Sequence, residues 1–155
     1  MHLENATIHD IRTGARIVYA LLEMLDDAVA AEDRVAMLSL MDFLADTLAA
    51  IGRGLEIHAS GLAGRKRYRP SWQDMSPDQL LDDLRTMISI EQALIEARQD
   101  RIPHVRHASA KRLSSEIKAF LQKLRIAVLE RRTYLLKHFP EYWTEAVEKE
   151  FGPWL

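Results

Sequence analysis

The chain contains no cysteine, so disulfides, thiolate metal sites and cysteine nucleophiles are excluded. Six glycines and five prolines are too few for the closely spaced turns of a β-sandwich or barrel. The N-terminal stretch MHLENATIHD has neither the basic nor the apolar region of a signal peptide. No apolar run approaches the roughly 20 residues that span a bilayer. The Glu-x-x-His pairs that hold di-iron centres in helical bundles are missing as well. A cytoplasmic protein without metal or cofactor is the expectation these absences leave.

What is present is helical periodicity. Between residues 37 and 62, steps of three and four give Met37, Met41, Leu44, Leu48, Ile51, Leu55, His58 and Leu62, with Asp42 and Asp46 off the stripe. A helix with one apolar stripe needs other helices to cover it, and the chain supplies them. Ile8, Ile11, Ala15, Val18, Leu22 and Leu25 mark a first helix starting near Asn5 or Thr7 and running over 6–29. The second covers 33–59 after a turn so short that the two must form a tight antiparallel hairpin. Gly52 and Gly54 lie inside it, at a cost of roughly 1 kcal/mol each relative to alanine. They suggest close approach of another backbone or a weak helix end.

Residues 60–75 break the period with Gly61, Gly64 and Pro70. Ser76-Pro77-Asp78-Gln79 then reads as a capping box with proline at the first helical position. It opens a third helix over 76–98, with Leu80, Leu81, Leu84, Met87, Ile88, Leu94 and Ile95 inward. A fourth, over 109–138, follows Pro103 and ends before Pro140. Glu141 to Phe151 adds a short aromatic helix. The expected fold is all-α: one domain over 1–155, an antiparallel four-helix bundle of two hairpins plus a short C-terminal helix. In that arrangement the first helix's start, the second's end, the third's start and the fourth's end share one pole.

A net charge of −2 hides an uneven distribution. Residues 1–50 carry three bases against nine acids, and residues 101–138 carry ten bases against two acids. Such asymmetry can serve nucleic acid. Here the near-zero total favours packing of the acidic and basic parts against each other, within one chain or across a homo-oligomer. Trp143, Phe151 and Trp154 should pack on the bundle or on a partner.

Few residues suggest chemistry. Glu91 is the one carboxylate centred on an apolar stripe, and it should meet Lys118 or Ser114 on the fourth helix. His58 lies on the second helix's stripe as a core histidine would. His104-x-x-His107 sits in a loop beside proline.

The run Ile8-His9-Asp10-Ile11-Arg12-Thr13 resembles the H-box of histidine-kinase dimerisation and phosphotransfer domains. The resemblance implies that His9 accepts a phosphoryl group, with Asp10 as base and Thr13 orienting water. Gly14 stands where that family has proline, and no glycine-rich ATP-binding domain follows, so phosphotransfer alone is implied. Arg132-x5-His138 is similar to the arginine–histidine spacing of HEPN-type ribonucleases. With Arg65, Lys66, Arg67, Arg69 and Arg131 it would form a basic, phosphate-binding pole, in which arginine holds phosphate and histidine moves a proton. The leading expectation is nonetheless a non-catalytic regulatory or scaffolding bundle that acts through a protein partner, a second copy included, without membrane contact.

Overall fold

Asp10, rather than Asn5 or Thr7, starts the first helix: its side chain accepts a hydrogen bond from the Arg12 backbone, and α1 runs Ile11–Ala30. Residues 6–10 are therefore not helical, a correction to the expected start. The structure, a computed structural model, describes residues 5–57, 69–102 and 105–154. Glu32, at φ 54°, closes the α1–α2 turn. Its N–H and that of Asp33 bond the Val29 and Ala28 carbonyls, a Schellman arrangement.

Asp33 caps α2 (Arg34–Gly54). This helix stops five residues short of the expected end, because the chain before α1 crosses it: Ile8 donates to the Ala50 carbonyl at 3.1 Å. Its length and composition alone would let it cross a membrane. Its apolar side, however, is core, with Met41, Leu44, Ala45, Leu48 and Ile51 all buried. The capping box at Ser76 is present, and α3 covers Pro77–Asp100. The longest helix is α4, Ala108–His138 (31 residues), and α5 covers Glu145–Phe151. No strand occurs among the described residues.

The protein is an all-α bundle of two helical hairpins. α1 packs on α2 and α3, and α4 packs on α2 and α3, so α2 and α3 lie diagonally opposite. Within each hairpin the helices are antiparallel; across the hairpins they run parallel. Arg12 reaches Asp82 and Asp83, Tyr19 meets Ser89, and Arg101 pairs with Asp26 at 2.8 Å, in ascending order along both α1 and α3. Along α2 and α4, Arg112 meets Asp42 and Asp46, and Gly52 lies beside Phe120 and Lys123. The acidic first hairpin and the basic second one thus do meet, at Arg101 and Arg112. The core is one cluster of leucine, isoleucine and methionine contributed by all four helices, each side chain stabilising the fold by about 1.5–3 kcal/mol.

Since Gly52 is level with Phe120 and Lys123, α4 continues well over a dozen residues past the end of α2, roughly 20 Å at 1.5 Å per residue. The 3₁₀ turn Ser71–Asp74 occupies part of the space left there, with Trp72 against Arg131 and Tyr134 and the Tyr134 hydroxyl donating to the Gln73 carbonyl at 3.2 Å. The aromatic tail folds back on its own bundle. Phe151 is buried and stacks on Trp143 at 5.5 Å, and Glu150 pairs with Arg85 of α3 at 2.8 Å.

Candidate functional site

The pole where α1 begins and α4 ends is organised by Trp72. Its indole N–H donates to the Glu56 carbonyl, and the Glu56 carboxylate accepts from both the Ser71 N–H and hydroxyl at 2.8 Å. The indole lies 4.8 Å from the Arg131 guanidinium and meets Tyr134 edge-on at 5.2 Å. Arg131 is accordingly buried, bonding the Ala127 carbonyl of its own helix. Burial of a guanidinium is tolerable here because a π face and a carbonyl replace part of its hydration.

A crevice of about 290 Å³ opens beside this layer, lined in part by His9, Asp10, Glu56, Asp83 and Arg131. His9 is exposed and precedes α1 rather than standing on it. Asp10 is occupied as the cap: one oxygen accepts from the Arg12 N–H at 2.9 Å and the other from the Thr13 hydroxyl at 3.0 Å. The three H-box positions are therefore adjacent, with Asp10 and Thr13 bonded to each other. Gly14 permits close packing, since a Cβ there would stand 2.9 Å from the Ile51 side chain. Across the crevice, burial raises the Asp83 carboxyl above its ordinary range, and neighbouring Arg12 pulls it back in part.

Those of the expected basic residues that the structure describes do not gather on one face. Arg69 is exposed and pairs with Asp74 at 2.9 Å. Arg132 turns towards the tail, over Trp143 at 5.5 Å and near Glu148 at 3.7 Å, and its Nε is buried without a hydrogen bond. His138 lies against Tyr134 on the other side of α4. Six residues along a continuous helix turn two side chains about 120° apart, so Arg132 and His138 do not converge. Arg65, Lys66 and Arg67 lie outside the described residues, as do His58, Leu62 and His104.

Glu91 is half-buried, and burial raises its carboxyl. The charge that offsets this is Arg125, not the expected Lys118, while Ser114 accepts from Arg98 at 3.3 Å. His107 caps α4, its Nδ1 accepting from the Ser109 N–H. Among the described residues, no three histidine, aspartate or glutamate side chains converge as metal ligands.

One surface escapes the sequence reasoning above. The outward side of α4 carries Ile126, Leu129, Thr133 and Leu136, and Leu129 and Leu136 are each 37% exposed. Ile126, Leu129 and Thr133 also line a groove of about 480 Å³ that runs to Trp72 and Tyr134. The signal was in the sequence, as a second stripe at steps of three, four and three opposite the core-facing one. The longer core stripe of the same helix masks it. Comparison with protein-family models, curated proteins and solved structures finds no match for the chain.

Proposed function

We propose that this protein is a non-catalytic regulatory or scaffolding bundle that works by docking protein partners. The observation that carries the reading is the outward face of α4. Ile126, Leu129, Thr133 and Leu136 have the spacing of a coiled-coil seam, and among the described residues Leu129 and Leu136 stand exposed on the part of α4 that outruns α2. An amphipathic helix is the occupant this shape fits, its apolar side chains set into the groove at helical spacing. The one exposed histidine at the crevice has its neighbouring carboxylate engaged in capping, which supports binding over proton transfer.

The test uses the full chain carrying a photo-crosslinking side chain at position 133, so that a captured partner is identified, purified and titrated. The double variant Leu129→Glu/Leu136→Glu should weaken that complex by at least about tenfold, with helicity and melting unchanged. Equal affinity of variant and parent would remove α4 as the docking face.

A second reading, phosphotransfer through His9, draws support from the exposure of that ring at the crevice mouth. Incubation with a phosphorylated receiver domain decides it. Acid-labile label on the parent and none on His9→Ala would replace the scaffolding reading, and identical behaviour of the two would end the phosphotransfer one.

A further inference from the structure

The pole opposite Trp72 carries its own surface. There the α1–α2 turn meets the end of α3 and the start of α4. Three large apolar side chains stand exposed on α1 and α2 at or near this turn: Val35 at 76%, Met24 at 52% and Val29 at 45%. Two hollows open beside it, separated by Val105, which lines both. One, about 510 Å³, is walled by Val29 and Met37 and carries Asp26, Glu32 and Asp100 against Arg34 and Arg101. The other, about 620 Å³, has Ile102, Val105 and Ala110 as its apolar wall, with Arg98, Arg106 and Lys111 at its rim and no acid among its lining residues.

Among the described residues, not every charge around these hollows finds a partner. Asp26 pairs with Arg101, but Asp27 and Glu32 meet no base, and Arg106 and Lys111 meet no carboxylate, among the described residues. One pole thus presents an acidic edge studded with valine beside a basic hollow with an apolar floor. A twofold axis near Val105 would lay the acidic edge of one copy on the basic hollow of another, and the reverse, so both contacts form at once. Self-complementarity of this kind is what a closed two-fold dimer requires, and opposed charge fixes its register.

We infer that this pole is the interface of a head-to-head homodimer, in which Val29 and Val35 of each copy enter the hollow floored by Ile102 and Val105 of the other, with Asp27 and Glu32 facing Arg106 and Lys111. The inference extends the docking reading to a separate surface and a defined partner, a second copy of this chain.

The test is a charge-swap series followed by sedimentation velocity at low and high salt. The parent chain should show a monomer–dimer equilibrium that loosens with salt. Asp27→Lys/Glu32→Lys places like charges together at both contacts, as does Arg106→Glu/Lys111→Glu. Each variant alone should dimerise at least about tenfold more weakly than the parent. An equimolar mixture of the two should dimerise again, because the lysine edge then faces the glutamate hollow while the remaining contact keeps its native pairing. All four positions are exposed, and a circular-dichroism spectrum checks that each variant is folded. A monomeric parent at every concentration overturns the inference while leaving the α4 reading intact. A parent dimer that neither variant weakens also overturns it, as does a mixture that stays monomeric.

Discussion

At the scale of single residues, two glycines two positions apart do different work. A Cβ on Gly54 would overlap the Ile8 carbonyl oxygen, whereas one on Gly52 would make ordinary contact with the flexible Lys123 side chain at 3.5 Å and the Phe120 ring at 3.9 Å. Gly54→Ala should therefore cost about 1–3 kcal/mol through forced backbone movement. Gly52→Ala should raise stability by up to about 1 kcal/mol, from helix propensity. Urea denaturation of the two variants measures the difference in sign. Both glycines stand out in the sequence, but only the path of residues 6–10 distinguishes them. Glu91 makes a pH prediction. Burial raises its carboxyl, so the folded state holds that proton more tightly than the unfolded chain does. Its contribution to stability is full below the unfolded value of about 4.3 and is lost as the pH rises through the higher folded value. Glu91→Gln should flatten that part of the stability–pH curve and melt higher than the parent at neutral pH. Identical curves would mean that solvent reaches the carboxylate freely.

At the scale of elements, the existence of all four long helices is legible from apolar spacing, and the start of α3 from its capping box. The end of α1, the start of α2 and both ends of α4 fall within one residue of the expected positions, whereas the start of α1 and the end of α2 depend on tertiary structure. α1 starts late because Asp10 caps it and residues before it cross α2. α2 stops early where the Ile8 backbone crosses it, bonded to the Ala50 carbonyl and so close to Gly54 that a Cβ there would not fit. Of the stripe read as far as Leu62, Met37 to Ile51 lie on α2 and Leu55 lies just past its end, while His58 and Leu62 fall outside the described residues. Which helices are neighbours is not written in the stripes, which are all alike, and the diagonal placement of α2 and α3 came from the structure alone. The tail is partly legible: its aromatics announce burial, but only Arg85, Arg132 and the stacked rings say against what. Phe151→Ala should cost about 3 kcal/mol and speed amide exchange through α5, with little change in α2. Protection of α5 equal to that of the parent would show that the helix is held without its ring.

At the scale of the whole molecule, the parallel pairing of the hairpins has a kinetic consequence. Arg12 and Asp82, Tyr19 and Ser89, and Asp42 and Arg112 are each 70 residues apart. Each hairpin can zip from its own turn, but every contact between hairpins waits for a long loop to close, and such non-local contacts slow folding. The docking of two preformed hairpins is then the late step, and the connection between α2 and α3 is its tether. Doubling that tether with a Gly-Ser insert between Ile57 and Arg69 adds about 0.6 kcal/mol of closure entropy. Stopped-flow refolding should slow by roughly threefold with the unfolding limb unmoved, whereas an unchanged refolding rate would place docking after the rate-limiting barrier. Diagonal wiring thus makes this bundle slower to assemble than one whose successive helices are all neighbours.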